Sequence, residues 1–91
     1  GTPKVVVEAM ARGLIVIAPR LGGLHHTIIN NYNGFLYSNY DPLSISSLLL
    51  DIVSIPPEQL LDISQNAIET SSRYTVEAQQ LILNQAIDSC Q

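Results

Sequence analysis

The sequence predicts an α/β fold, and three observations predict it. A short amphipathic helical run over residues 3–12 stops at Gly13 and feeds the uninterrupted apolar run Leu14-Ile15-Val16-Ile17-Ala18. A second, short β-type run, Gly34 to Tyr37, follows an Asn- and Gly-rich turn. From Asp41 onward apolar residues recur at helical spacing. The predicted order is helix, strand, turn, strand, then three helices. Two short strands make too little parallel sheet to stand alone, so further strands are expected upstream.

Thr2 reads as an N-cap and Pro3 as the first helical residue, where a missing N–H costs nothing. The first helix then runs to Arg12 and stops at Gly13. Leu14 to Ala18 has the unbroken apolar character of a strand buried on both faces. Pro19 to His26 is a loop holding Gly22-Gly23, with one helical turn near His25 to Ile29. In Asn30-Asn31-Tyr32-Asn33-Gly34 the Asn and Gly residues accept positive φ, which makes the segment a turn.

Asp41-Pro42 repeats the cap-then-proline signal. It opens a helix whose apolar face is Leu43, Ile45, Leu48, Leu49, Ile52 and Val53. Pro56-Pro57 breaks that helix and starts another to about Ser71, with Leu60, Leu61, Ile63, Ala67 and Ile68 inward. Thr75 caps a last helix, Val76 to Ser89, burying Val76, Leu81, Leu83, Ala86 and Ile87.

Composition narrows the function classes. A chain of 91 residues with net charge −4 is one small domain at most, with no basic footprint for nucleic acid. The charge is uneven. Lys4, Arg12 and Arg20 against Glu8 leave residues 1–39 at +2, while Arg73 against seven acids leaves residues 40–91 at −6. A locally basic amino-terminal end suits a compact anion such as a diphosphate, and equally a plain solvated surface. The longest apolar stretch is Leu14 to Ala18, far below the roughly 20 residues of a membrane span. No targeting signal is visible, and the single Cys90 fits a reducing compartment, so a cytoplasmic location is expected.

Glu8 is the leading candidate residue. A carboxylate on the helix of a βαβ crossover is placed to accept hydrogen bonds from a vicinal diol such as a ribose. Spacing alone also permits a duller role: Lys4, Glu8 and Arg12 stand at i, i+4 and i+8, a salt-bridged solvent stripe. Adjacent His25-His26, with no Cys or carboxylate nearby, reads as surface and not as a metal site. Gly22-Gly23 lacks the spacing of a dinucleotide or Walker loop, and Ser44, Ser46 and Ser47 lack a neighbouring base.

The run from Gly1 to Gly13, GTPKVVVEAMARG, resembles the late signature of nucleotide-sugar glycosyltransferases of the GT-B fold, the large retaining group called glycosyltransferase family 4. The resemblance continues in register through Gly22-Gly23, Asn33-Gly34-Phe35-Leu36, Asp41-Pro42-Leu43 and the aromatic Tyr74, and so covers essentially the whole chain. The family has Pro where Ile15 stands, Glu where His26 stands and Gly where Asn31 stands. It implies that residues 1–91 are the carboxy-terminal part of a nucleotide-sugar-binding domain with a partial Rossmann-like parallel sheet, the upstream strands and acceptor domain lying elsewhere.

Of the family's two donor-site glutamates, Glu8 matches the second, which holds ribose hydroxyls; the first would precede Gly1. The resemblance also implies that Thr2, Pro3, Lys4 and Val5 form the diphosphate loop, where free N–H groups and the helix dipole favour an anion. It implies retaining sugar transfer to a sugar, lipid or small-molecule acceptor, with no cofactor and no required metal. It also implies that the 91 residues are inactive alone, in a parent that is membrane-peripheral at most. A related epimerase or phosphorylase, and a binding protein without chemistry, stay open as alternatives.

Overall fold

The computed structural model describes residues 4–89, and the side chains of residues 4–74. The elements in chain order are α1 (Lys4–Ala11), β1 (Ile17–Pro19), α2 (Leu24–Thr27), β2 (Phe35–Tyr37), α3 (Pro42–Val53) and α4 (Pro57–Ser89). The expected caps Thr2 and Pro3, Cys90, and the side chains from Thr75 onward lie outside the described residues.

Helix α1 turns Val6 and Met10, one turn apart, toward the core. It ends in a Schellman motif. Gly13 takes φ +76°, its N–H donates to Met10 O at 3.0 Å, and the Leu14 N–H donates to Ala9 O at 3.1 Å. The chain is thereby reversed into β1. The strand begins at Ile17, later than the apolar run predicts, and Leu14 is exposed. The partner strand is short, so Leu14 lies beyond the end of the ladder.

β1 and β2 are parallel, paired Ile17↔Phe35, Ala18↔Leu36 and Pro19↔Tyr37. Val16 O accepts the Phe35 N–H at 2.8 Å before the ladder, and Tyr37 O accepts the Arg20 N–H at 2.9 Å after it. Side chains alternate, so each face of the sheet carries its own cluster. On one face Ala18 and Leu36 pack with Met10, Ile28 and Ala67. On the other, Phe35 packs with Ile52 of α3 and Ile63 of α4, flanked by Ile15, Ile17 and Leu48.

Two expectations are corrected. First, α4 runs unbroken from Pro57 to Ser89 where two helices capped by Thr75 were predicted. No Gly or Pro interrupts residues 71–76, the Ser71 and Ser72 hydroxyls bond back to the Ile68 and Glu69 carbonyls, and Arg73 pairs with Glu69 at 3.0 Å. Second, the apolar faces of α3 and α4 are narrower than their periodicity. Leu43 and Val53 are 78% and 74% exposed, Leu49, Leu61 and Ile68 are also exposed, and of the predicted α3 face only Ile52 is buried. A sheet of two strands offers too little surface to cover them.

Candidate functional site

α1 reverses tightly into β1 at Gly13 and runs back along it, with Met10 in the same cluster as Ala18, so its first turn points toward the edge where the parallel strands end. That edge is where open α/β sheets bind ligands. Lys4, Val5 and Glu8 lie on α1, Tyr37 ends β2, and Arg20 and Tyr40 lie on the segments that leave β1 and β2. The rings of Tyr37 and Tyr40 meet edge-to-face with centroids 5.7 Å apart.

Glu8 reaches Lys4 across 3.7 Å, and the two side chains are 58% and 88% exposed. Such a pair contributes little to stability, and it leaves most of the carboxylate and ammonium open to solvent. Val5 is exposed beside them. The Arg12 backbone N–H donates to Glu8 O and Ala9 O, while its guanidinium is exposed and makes no ion pair with Glu8. Of the predicted stripe, the structure brings together Lys4 and Glu8 alone.

His25 and His26 lie on α2 with rings 4.0 Å apart and tilted by 41°. Among the described residues no group of three or more His, Cys, Asp or Glu could hold a metal ion, and no helix is long and apolar enough to cross a membrane. A cleft of about 540 Å³ is lined by Asn30, Asn31, Phe35, Leu48, Asp51 and Gln59 among others. It opens at the amino-terminal end of β2, away from Glu8, and none of the predicted site residues lines it.

Sequence reading missed what Asn33 does. The Asn and Gly residues of the turn were read together as accepting positive φ, and Asn31 adopts it, at +69°. Asn33 is fully buried instead. Its Oδ1 accepts the Ile29 N–H at 2.7 Å, and its amide donates to Thr27 O and Thr70 Oγ1, both at 3.0 Å. Asn66 donates to Tyr32 O at 2.9 Å and Thr27 Oγ1 to the Tyr74 hydroxyl at 3.0 Å. α4 thus grips the whole turn between the strands. Three Asn residues in one turn exceed what its dihedrals need, and that surplus was the available signal.

Comparison with known proteins bears on the family of the chain. The family described as "Glycosyl transferases group 1" matches residues 1–70. D-inositol 3-phosphate glycosyltransferase 2 of Catenulispora acidiphila is 31% identical over 70 residues, covering 77% of this chain and 16% of that protein. A glycosyltransferase of Methanocaldococcus jannaschii is 32% identical over 77 residues, covering 85% of this chain and 22% of that protein. The chain thus spans about a fifth or less of the length of these relatives. No solved structure matches it significantly. On this evidence the chain belongs to the group 1 glycosyl transferases.

Proposed function

We propose that residues 1–91 are the carboxy-terminal part of the nucleotide-sugar-binding domain of a retaining GT-B glycosyltransferase. The observation that supports this reading is Glu8, a solvent-open carboxylate on the helix that reverses at Gly13 into the parallel sheet. Among the described residues β1 pairs with β2 alone, which leaves an edge for the strands of a larger sheet.

Each residue then has a task. Glu8 accepts hydrogen bonds from the two ribose hydroxyls of the donor. Thr2 and Pro3 with the helical residues Lys4 and Val5 hold the diphosphate, with backbone N–H groups as donors and the Lys4 ammonium as a point charge. In the transfer, an acceptor hydroxyl bonds to the anomeric carbon, the bond from that carbon to the diphosphate oxygen breaks, and the acceptor proton is released. The nucleoside diphosphate leaves with the negative charge that Lys4 and the amides favour. The donor is a substrate and no cofactor is assigned. The acceptor, a sugar, a lipid or a small molecule, is held by residues outside 1–91.

The test is calorimetric titration of the full-length protein with a panel of nucleoside diphosphate sugars. Glu8→Ala should weaken donor binding by about a hundredfold, the loss of two charge-assisted hydrogen bonds less what water restores. Unchanged affinity in a folded Glu8→Ala variant would remove the ribose assignment.

A further inference from the structure

Ser64 behaves unlike the other hydroxyl residues on the same stretch of α4. Thr70, Ser71 and Ser72 donate back to carbonyls of their own helix, at Asn66, Ile68 and Glu69. Ser64 donates outward, to the Gly13 carbonyl at 2.7 Å, 51 residues away in sequence. That carbonyl belongs to the residue that terminates α1 with φ +76°. The approach is close: a Cβ on Gly13 would stand 2.9 Å from the Ser64 hydroxyl and 3.4 Å from Ile68 Cδ1.

α1 otherwise packs on α4 and the sheet through an apolar stripe: within Lys4–Ala11, Met10 is the buried residue and Val6 packs alongside. A short helix held by one apolar stripe can slide along its axis or rotate about it, because dispersion contacts are non-directional. The Schellman end supplies direction within α1, and the Ser64 bond ties that end to α4. Glu8 stands five residues before Gly13, roughly 7.5 Å along the axis at 1.5 Å per residue, on the same rigid segment.

We propose that Ser64 is a positioning residue for the donor site: its bond to the Gly13 carbonyl sets the axial and rotational position of α1, and so where the Glu8 carboxylate stands. The proposal rests on the reading that Glu8 binds donor. Losing the Ser64 hydroxyl removes one buried-side hydrogen bond, and the part of that loss transmitted to donor binding is about two- to tenfold in affinity.

A double-mutant cycle in the full-length protein tests it, with donor affinity read by calorimetry. Ser64→Ala should weaken donor binding about two- to tenfold when Glu8 is present and cause no further loss in the Glu8→Ala background. Ser64→Thr, which keeps the hydroxyl, should restore most of the affinity. Equal weakening in both backgrounds would overturn the proposal in favour of a general structural role, and so would no weakening by Ser64→Ala while Glu8→Ala itself weakens binding. A silent Glu8→Ala would fail the donor reading first, and the role of Ser64 would fall with it. If Ser64→Ala does not fold, Ser64→Cys, of similar size with a weaker donor, takes its place in the same cycle.

Discussion

The side-chain amide of Asn33 donates to the Thr70 hydroxyl at 3.0 Å, joining residues 37 apart in sequence. Thr70 in turn donates to Asn66 O at 2.8 Å, and Asn66 donates to Tyr32 O, so turn and helix are tied in a closed relay. No buried side-chain nitrogen or oxygen among the described residues lacks a partner. A fully satisfied buried network specifies one arrangement, because any slip leaves a polar group dry and unpaired. The turn therefore has one seat on α4, and β2 inherits its register from it.

Asn33→Ala should be among the most destabilising single changes in this region. It strips the Ile29 N–H and Thr27 O of their side-chain partner and leaves a void at a fully buried site. The expected cost is about 2–4 kcal/mol in urea unfolding of the full-length protein. Thr70→Val, which keeps shape and removes one partner, should cost about 1 kcal/mol. Equal costs for the two would show that Thr70, not Asn33, is the centre of the network.

Gly13→Ala should destabilise for two separable reasons. The positive φ is strained for any residue with a Cβ, at about 1 kcal/mol, and the new Cβ would crowd the Ser64 hydroxyl. Combining Gly13→Ala with Ser64→Ala removes the crowding and keeps the strain. The losses in unfolding free energy of the two single variants should therefore sum to more than the loss in the double variant. Strict additivity would mean that the close approach of Gly13 and Ser64 carries no energy.

Lys4 and Glu8 should separate under substitution although they are paired. Lys4→Ala should change stability by less than about 0.5 kcal/mol, since an exposed i,i+4 ion pair contributes no more. Its effect on donor binding should be under tenfold, because the α1 amides persist. Glu8→Gln keeps one acceptor and should cost about ten- to a hundredfold. Calorimetry at two salt concentrations provides a further check: Lys4→Ala should flatten the salt dependence of donor binding, whereas Glu8→Gln should lower affinity at both.

The parts of this fold that were legible in the sequence are those fixed by local chemistry. Gly13 as a helix stop, the turn at 30–34 and the start of α3 at Pro42 follow from dihedral preferences that no tertiary contact overrides. The placement of Glu8 followed from the helix–strand reversal and from the family resemblance together. What periodicity could not show was how much surface the sheet offers. It marked Leu43, Leu61 and Val53 as inward, yet they are exposed because apolar spacing says which face could be buried and not what faces it. It also overlooked Ser64 and Ser71, small polar residues on the inner side of α4 whose partners lie on distant or local carbonyls. The join within α4 was misread because Thr75 has a cap's identity in a stretch with nothing to stop a helix.

The exposed face of α3 yields the last prediction. Leu43, Leu50 and Val53 stand largely in solvent on a helix whose one charged residue is Asp51, and among the described residues β1 has a neighbour on one edge only. Apolar side chains and an unpaired strand edge are the two surfaces through which chains associate. Residues 1–91 produced alone should therefore self-associate and unfold without a sharp transition, whereas the full-length protein should unfold cooperatively. Replacing Leu43, Leu50 and Val53 together by Gln, Gln and Thr should shift the isolated chain toward monomer in light scattering, with far-ultraviolet circular dichroism unchanged. Ile52→Ala, by contrast, removes a buried contact with Phe35 and Ile63 and should cost about 2–4 kcal/mol in the full-length protein without reducing association of the isolated chain. A monomeric, cooperatively melting 91-residue chain would show that the two strands and their helices are sufficient by themselves. The proposal of a larger sheet built on the open edge of β1 would then lose its physical basis.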